Sequence, residues 1–325
     1  MKVCIYGVGA VGGHLAARLC AAGKAEVSVI ARGAQLDAIR RNGITLKSGG
    51  KEIHGKPAVA TDDPAGLGKQ DLVIVTLKAH AAPGAAAPVE RLLAADGCVM
   101  FPLNGLTWWW RYGRGPKQEP LPLLDPQAEL WTRLRERTLG CVIYSPNEVV
   151  SPGVVSHVGG NRFVIGEPTD EKTSRVQAVV DLFNASAITA EVSPDIRAEL
   201  LRKFAGNAWS NPLGALTGRV QSEISQDADL KQIAMRIMRE TLEVAAALGW
   251  DLRNEIDVEK NVSRASLGAT PSMSQDVLLG RPLEVEAHLG QTQAFARELG
   301  VPVPTIDVVL PLLRGLDASI RSRKS

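Results

Sequence analysis

The chain opens with Met1-Lys2-Val3-Cys4-Ile5-Tyr6, and Gly7-Val8-Gly9-Ala10-Val11-Gly12 follows at once. The first six residues read as a buried β-strand, and the next six form the pattern G-x-G-x-x-G at the start of a helical pattern. Gly7 permits a tight turn, Gly9 lets the backbone approach a pyrophosphate, and Gly12 lets helix and strand pack closely. The helix N-terminus faces the phosphate charge. The motif therefore predicts a dinucleotide site, and the alternative is a simple glycine turn.

The composition is that of an ordinary globular protein. Of 325 residues, 45% are hydrophobic and 22% are charged, and the formal net charge is +2. This balance predicts neither a nucleic-acid nor a membrane partner, and no apolar run has the length of a membrane span. The four cysteines lack zinc or C-x-x-C spacing, and the first apolar run is already a strand rather than a secretion signal. We therefore expect a cytoplasmic protein.

The front half of the chain alternates strand and helix patterns. Residues 71–77 are almost continuously apolar, as expected of a parallel strand that is covered on both faces. The alternation predicts an α/β fold with a Rossmann-like, doubly wound parallel sheet over residues 1–192. The predicted strands are 2–6, 26–31, 71–77, 98–103 and 139–144, with further strands around Val154, Val164 and Val192 and helices at 11–22, 85–95 and 173–184.

The back half, residues 193–325, is predicted to be an all-α domain. Ser193-Pro194-Asp195 has the features of a helix start, with Ser193 as the cap, a proline in the first turn and an acid at the positive end of the helix dipole, so we place the domain boundary there. Apolar residues from Leu230 to Leu248 recur at helical spacing, and Gly249 follows that helix. Further helices are predicted at 195–211, 273–279, 284–298 and 304–319.

The end of the second strand bears on the choice of cofactor. An acidic residue there would bind the ribose hydroxyl of NAD, whereas a basic residue suits the 2′-phosphate of NADP. Here Arg32 follows strand 26–31. This position predicts NADP, and the alternative is that Arg32 only solvates a strand end.

Two groups of polar residues are candidates for a site. Lys78 and Asn104 end two predicted strands, where ligands bind in such sheets, although Asn104-Gly105 is also a common turn signal. Lys203, Asn207 and Asn211 are spaced i, i+4, i+8 and share one helix face that overlaps an apolar stripe. The alternative is an ordinary solvated stripe. Pro212 is expected to end or kink this helix.

Two later residues look structural on pattern alone. Ser272 with Gln275 reads as a capping box. Glu284 falls in the first turn of a predicted helix, where the helix dipole favours an acid.

The sequence resembles the ketopantoate reductase (2-dehydropantoate 2-reductase) family through nearly its whole length. The resemblance is carried by the glycine motif, Thr76-Leu77-Lys78-Ala79, Asn104-Gly105, the run from Lys203 to Leu213, and Ser272-Met273-x-Gln275-Asp276 with Glu284 downstream. It implies NADPH-dependent reduction of a small 2-oxo acid, with the cofactor on the first domain and the substrate beneath the helical one. This activity would feed pantothenate synthesis.

The resemblance also implies roles for individual residues. Lys203 would be the general acid, and Glu284 would orient it. Asn104, Asn207, Asn211 and Ser272, together with Lys203, would hold the substrate. The cofactor would contact Gly7, Val8, Gly9, Ala10, Val11, Gly12, Arg32, Lys78 and Asn104. No metal is expected.

The chain departs from the family pattern near Asn104. Phe101-Pro102-Leu103 precedes that residue where a glutamine is more usual, and Trp108-Trp109-Trp110 follows it, before a proline-rich loop from Pro116 to Pro126. The tryptophans are interpreted either as a hydrophobic plug or homodimer contact, or as the lining of a more apolar substrate pocket. One alternative function is therefore the same reduction of a bulkier 2-oxo acid. Two further alternatives, independent of the tryptophans, are a β-hydroxyacid dehydrogenase and a non-catalytic NADP-binding protein.

Overall fold

The structure, a computed structural model, describes residues 1–263 and 270–323. The chain divides into two compact units. The first comprises Met1–Leu103 and Trp108–Glu199, and the second comprises Asn104–Thr107 and Leu200–Ser325. The short segment that contains Asn104 thus belongs with the C-terminal unit. The domain boundary at Ser193 stays a prediction from the sequence, since compactness divides the chain a few residues later.

The first unit is an α/β fold, as predicted. Its helices are α1 (Ala10–Ala22), α2 (Gly33–Asn42), α3 (Ala86–Leu92), α4 (Glu129–Leu134) and α5 (Ser174–Ala185). Its strands are β1 (Lys2–Tyr6), β2 (Glu26–Ile30), β3 (Ile44–Ser48), β4 (Lys51–Gly55), β5 (Val59–Thr61), β6 (Gln70–Val75), β7 (Leu93–Phe101), β8 (Thr138–Tyr144), β9 (Asn147–Ser151), β10 (Val154–His157), β11 (Arg162–Gly166) and β12 (Thr189–Val192).

The main sheet has eight strands in the order β12-β11-β8-β7-β6-β1-β2-β5. Strand β1 is an interior strand, third from the β5 edge, and Val3 is opposite Val27 of β2 and Leu72 of β6. All neighbouring strands are parallel except β8 and β11, which are antiparallel. Helices cover this sheet and its central residues are buried, which explains why its strands are apolar along their length. The predicted Rossmann-like class is confirmed.

A second sheet of four strands, in the order β4-β3-β10-β9, was only partly predicted. The sequence indicated a strand around Val154 but not β3, β4 or the main sheet's edge strand β5, nor helix α2. The strand pattern of β3 and β4 is weak because exposed polar residues such as Lys47 and Glu52 occupy it. This small sheet packs against α1, where Val155 lies beside Gly13.

The described part of the second unit contains helices and no strand, as predicted. They are α6 (Ile196–Thr217), whose first turn belongs to the first unit, α7 (Gln221–Gln226), α8 (Ala228–Ala247), α9 (Val258–Ser263), α10 (Ser272–Leu278), a π-helical turn (Glu286–Gly290), α11 (Gln291–Leu299) and α12 (Pro304–Ser322). The helix predicted from Leu230 to Leu248 is α8. Helices α7 and α9 are short and were not predicted.

Helix α6 corrects two expectations about its ends. The cap is Asp195, whose Oδ1 accepts from the N–H of Ala198 at 2.9 Å, while Ser193 Oγ accepts from the N–H of Asp195 at 3.2 Å. Pro212 was expected to end or kink the helix near Asn211, but the helix continues through it to Thr217. A proline removes only one helical hydrogen bond, and the flanking Trp209 and Leu213 are buried, so packing holds the helix together.

Residues 102–128, which include the proline-rich loop, form turns without a helix or strand. Over the residues that the structure describes, every helix is too short or too polar to span a membrane.

Candidate active site

The glycine motif forms a sharp turn between β1 and α1. Gly7 adopts φ +103°, a conformation that side chains other than glycine rarely take, and its N–H donates to the carbonyl of Ile30 at 3.0 Å. Thr76 Oγ1 donates to the Gly7 carbonyl. A Cβ at Gly12 would overlap both the Gly7 carbonyl and Thr76 Oγ1. The turn therefore requires glycine at two positions for different steric reasons.

Gly9 is exposed and lies directly before α1. No heavy atom lies within 4 Å of the position that its Cβ would take. The first turn of α1 has neither a side-chain cap nor an acidic residue. An open backbone before an uncapped helix N-terminus fits the pyrophosphate of a dinucleotide. The arrangement comprises Gly7, Val8, Gly9, Ala10, Val11 and Gly12.

Arg32 and Lys78 follow strands of the main sheet on the same side as the glycine turn. Arg32 is exposed directly before α2, and its positive charge opposes the rise in the pKa of Tyr6 that burial causes. Strand β6 ends at Val75, so Lys78 lies three residues beyond the strand rather than at its end; it begins a short 3₁₀ turn, Ala79–Ala81. Both side chains are on segments that can hold a cofactor.

Lys203 and Asn104 come together within the second unit. The Nζ atom of Lys203 donates to Asn104 Oδ1 at 2.7 Å, and both side chains are half-buried. Strand β7 ends at Phe101, so Asn104 lies in the loop after the strand rather than at its end. An ammonium group held by an amide oxygen in a partly buried place can deliver a proton to a bound oxygen.

Asn211 and Ser272 also come together, one turn of α6 beyond Asn207. Asn211 Oδ1 accepts from Ser272 Oγ and from the N–H of Met273, both at 3.1 Å, and Asn211 Nδ2 donates to the carbonyl of Asn207 at 3.4 Å. Ser272 is the first residue of α10 and does not cap it, so the predicted capping box is wrong. Its hydroxyl group bonds a side chain of another helix instead. Asn207 itself is half-buried.

Glu284 is buried and precedes the π-helical turn that begins at Glu286. The helix predicted from 284 therefore starts two residues later. The backbone carbonyl of Glu284 accepts from the N–H of His288 at 3.3 Å and from the ring Nδ1 of His288 at 3.0 Å. A carboxylate at 7% exposure needs a polar environment to be retained there.

The three tryptophans pack inside the first unit. Trp108, Trp109 and Trp110 are 2%, 1% and 4% exposed, and Trp108 meets Phe101 edge to face at 5.3 Å between ring centroids. Because they are buried, these side chains form a structural plug, and no ligand is needed to explain them. Side chains so fully covered within one chain cannot form the surface of a dimer.

Arg197 holds this tryptophan segment in place. It is fully buried, its guanidinium group donates to the carbonyls of Trp110, Tyr112 and Pro168 at 2.6–2.8 Å, and it lies 5.4 Å from the ring centroid of Trp109. Burial lowers the pKa of Arg197 to about 10. No local sequence pattern indicated this role of Arg197, because its partners lie far away along the chain.

Two contributors to the glycine turn were missed. Thr76 was noted only within a family motif, and Gln35 was not noted at all. Gln35 Nε2 donates to the carbonyl of Val8 at 2.9 Å, and its Oε1 accepts from the N–H of Gly153 at 3.0 Å. A single glutamine on α2 thus connects the glycine turn to the small sheet, and no local pattern indicates such a link.

No three His, Cys, Asp or Glu side chains among the described residues are placed to hold a metal ion. The polar chemistry of the described site is therefore that of an amine, amides, a hydroxyl group and a carboxylate.

Comparison with protein families identifies the chain. The family model described as ketopantoate reductase PanE/ApbA matches residues 3–170, and the model of the C-terminal part of the same family matches residues 195–317. The chain belongs to the ketopantoate reductase family. It is therefore an enzyme, an oxidoreductase, and the resemblance seen in the sequence is confirmed.

Curated relatives agree with this assignment. The 2-dehydropantoate 2-reductase of Mesorhizobium japonicum is 38% identical over 321 residues, which cover 97% of this chain and 98% of that protein. Similarity therefore extends through both units.

Solved structures of other proteins share the fold. An inferred ketopantoate reductase of Ralstonia solanacearum MolK2 has a TM-score of 0.89 at 33% identity and covers 98% of each chain. D-Mandelate dehydrogenase, solved with NADH and anilino(oxo)acetate, has a TM-score of 0.83 at 21% identity, covers 99% of this chain and all of that chain, and is similar in fold alone. A nicotinamide cofactor is what the family and this fold indicate.

Proposed function

We propose that this protein reduces 2-dehydropantoate (ketopantoate) to (R)-pantoate with NADPH, in the cytoplasm, as a step of pantothenate biosynthesis. The observation that carries the proposal is the contact of 2.7 Å between Lys203 Nζ and Asn104 Oδ1 in a chain of this family. It supplies a positioned proton donor beside an amide that can bind a polar substrate. The relative at 38% identity, a 2-dehydropantoate 2-reductase, supports the choice of substrate.

The preference for NADPH follows from Arg32. This guanidinium group is exposed after β2, where the 2′-phosphate of NADPH would lie in a Rossmann-like domain, and no acidic residue replaces it. The glycine turn would hold the pyrophosphate, and Lys78 would contact the cofactor from the segment after β6. When bound, the cofactor supplies a hydride to the carbonyl carbon of the substrate.

Lys203 provides the other half of the reduction. The keto oxygen gains negative charge during the reaction, and the ammonium group of Lys203 donates a proton from Nζ to that oxygen. Asn104 accepts one hydrogen of the ammonium group and so limits the directions that the remaining hydrogens can take. Buried Glu284 orients Lys203, as the family resemblance implies.

The amides of α6 and Ser272 hold the substrate. Asn207 is half-buried one turn after Lys203. It would donate to the carboxylate or hydroxyl group of ketopantoate. Asn211 is more deeply buried, and its oxygen is used by α10, so it positions Ser272 and keeps only an Nδ2 hydrogen for substrate. The substrate thus meets donors from two helices.

Replacement of Lys203 tests the proposal. Lys203→Ala should lower kcat by ~10²–10⁴-fold, because general acid catalysis contributes about that much, while NADPH binding measured by fluorescence stays unchanged. Arg202→Ala is the matched control, since Arg202 is exposed on the same helix and pairs with Glu255. A loss under tenfold in Lys203→Ala would contradict the assignment and favour a non-catalytic NADP-binding protein.

A bulkier 2-oxo acid is the second candidate substrate. In the sequence, this candidate was supported by the tryptophan segment. Those side chains are buried, and their packing within the protein explains them without a role in substrate binding. Ketopantoate is therefore the substrate that the chain supports best. The homodimer stays a prediction, and the tryptophan segment does not supply its surface.

A further inference from the structure

The turn Glu286–Gly290 has the wider hydrogen bonding of a π-helix. The N–H of Gly290 donates to the carbonyl of Val285 at 3.2 Å, and the N–H of Gln291 donates to the carbonyl of Glu286. In an α-helix, the N–H of Gln291 would instead pair with the carbonyl of Ala287. The wider turn leaves the Ala287 carbonyl to another partner. Such turns are rare in proteins, and those that do occur often lie at functional sites.

That partner is the loop that carries Asn104. The Ala287 carbonyl accepts from the N–H of Leu106 at 2.6 Å. Gly105 adopts φ +80° against this carbonyl, and a Cβ there would overlap it. The loop can therefore dock on the turn only with glycine at this position. Asn104, the residue before Gly105, is the one that accepts from Lys203.

The same turn holds the main chain at Glu284 through His288. The ring Nδ1 of His288 lies 3.0 Å from the carbonyl of Glu284, and because a carbonyl only accepts, Nδ1 carries the proton. The ring is 1% exposed and packs against Phe204 at 6.0 Å between centroids. Phe204 follows Lys203 on α6. His288 thus contacts both segments that carry the proposed proton donor and its carboxylate.

A salt bridge anchors the turn on its other side. The guanidinium group of Arg314 on α12 donates to both carboxylate oxygens of Glu286, at 2.8 and 2.7 Å. Two parallel bonds of this kind fix orientation as well as distance. The turn is therefore a braced element rather than a loose helix start.

We propose that the π-helical turn Glu286–Gly290 positions the proton donor, and that His288 is its principal positioning residue. The Ala287 carbonyl of the turn fixes the position of the loop that carries Asn104, and His288 fixes the position of the main chain at Glu284. The proposal rests on the proposed function, since it concerns the arrangement around Lys203. His288 acts through Glu284 and Phe204 and does not touch the reacting atoms.

Three variants of His288 test this role. Asparagine places an N–H donor close to the position of Nδ1, glutamine places it one carbon further out, and leucine removes it. We expect His288→Leu and His288→Gln to lower kcat by ten- to a hundredfold, because a displacement of about 1 Å can cost ~10²-fold. His288→Asn should stay within about threefold of the wild type. The KM for ketopantoate should change far less than kcat.

Cofactor affinity and thermal unfolding separate positioning from folding. NADPH dissociation constants should be the same in all three variants, and His288→Asn and His288→Gln should unfold at similar temperatures. The proposal is overturned if folded His288→Gln keeps the wild-type kcat, or if His288→Asn is as impaired as His288→Gln.

The Lys203→Ala variant distinguishes the two levels of the account. If Lys203→Ala retains most of its turnover, the proposed function fails and the turn has no proton donor to position. If Lys203→Ala is inactive while His288→Gln is as active as the wild type, the positioning role alone fails.

Discussion

Gly7, Gly9 and Gly12 have three different tasks within six residues. Gly7 supplies a left-handed backbone, Gly9 leaves open space before α1, and Gly12 allows close contact with the Gly7 carbonyl. These tasks could be predicted from the sequence because they depend on neighbours along the chain. The contact of Thr76 with the turn could not, because it joins residues 69 positions apart.

A pair of alanine substitutions separates folding from cofactor binding. Gly12→Ala should lower the free energy of unfolding by at least about 2 kcal/mol, since its Cβ meets a backbone carbonyl and a threonine hydroxyl. Gly9→Ala should leave that free energy unchanged or slightly raised, because the site is open and φ is −87°. Chemical denaturation measures both.

The same pair should rank differently in NADPH binding. Gly9→Ala should weaken binding at least tenfold although it folds normally, because its methyl group occupies space that the pyrophosphate needs. Unchanged affinity in Gly9→Ala would show that this backbone does not approach the cofactor.

We propose that Arg32 determines which cofactor binds. Arg32→Ala should weaken NADPH binding by about 10- to 100-fold, as charge-assisted hydrogen bonds are worth ~1.5–3 kcal/mol, and should leave NADH binding nearly unchanged. Arg41→Ala, at an exposed position at the end of α2, is the control. Fluorescence titration with both cofactors measures the effect, and equal losses for the two would contradict the role.

At the scale of elements, helix existence was predictable and local detail was not. The polar stripe of Lys203, Asn207 and Asn211 was identified correctly as lying on one helix face. The helix does not end near Asn211, however, but continues through Pro212 to Thr217. The capping box at Ser272 was wrong because the hydroxyl group has a better partner in Asn211, 61 positions away. Sequence patterns predict hydrogen bonds between residues that are near in the chain. In the folded protein, a residue that is distant in the chain can take the place of the predicted partner.

Helix α1 and the small sheet enclose a histidine. His14 is fully buried, with Nε2 at 3.2 Å from Asn161 Oδ1 and its ring 4.8 Å from that of His157. Burial, and next the charge of Arg18, lower the pKa of His14 from 6.5 to about 3. The packing of these elements therefore requires the neutral ring.

Acidification should destabilise the first unit through His14. Between pH 6.5 and pH 3, His14 binds a proton in the unfolded chain but not in the folded chain. The stabilisation that comes from the neutral ring is therefore complete above pH 6.5 and is lost as the pH falls toward 3. When the pH is lowered from 7 to 5, the free energy of unfolding should fall by about 2 kcal/mol through His14.

Chemical denaturation at the two pH values measures this cost as a difference between variants. His14→Leu should lose about 2 kcal/mol less than the wild type over that interval. The same loss in His14→Leu as in the wild type would show that His14 is not the sensitive group.

At the scale of the whole chain, the two kinds of architecture were predictable from the sequence. Continuous apolar strands separated by helices indicated the parallel sheet, and the helical spacing after Ser193 indicated the helical part. Only the strand around Val154 was predicted in the small sheet, because β3 and β4 are short and carry exposed polar residues. The role of the tryptophans was open because their burial depends on distant residues such as Arg197.

The central claim is that this member of the ketopantoate reductase family acts on ketopantoate itself with NADPH. Steady-state oxidation of NADPH should be measured with ketopantoate and with a panel of 2-oxo acids of increasing bulk. The account predicts the highest kcat/KM for ketopantoate. A higher kcat/KM for a bulkier acid, or no turnover of ketopantoate, would contradict it.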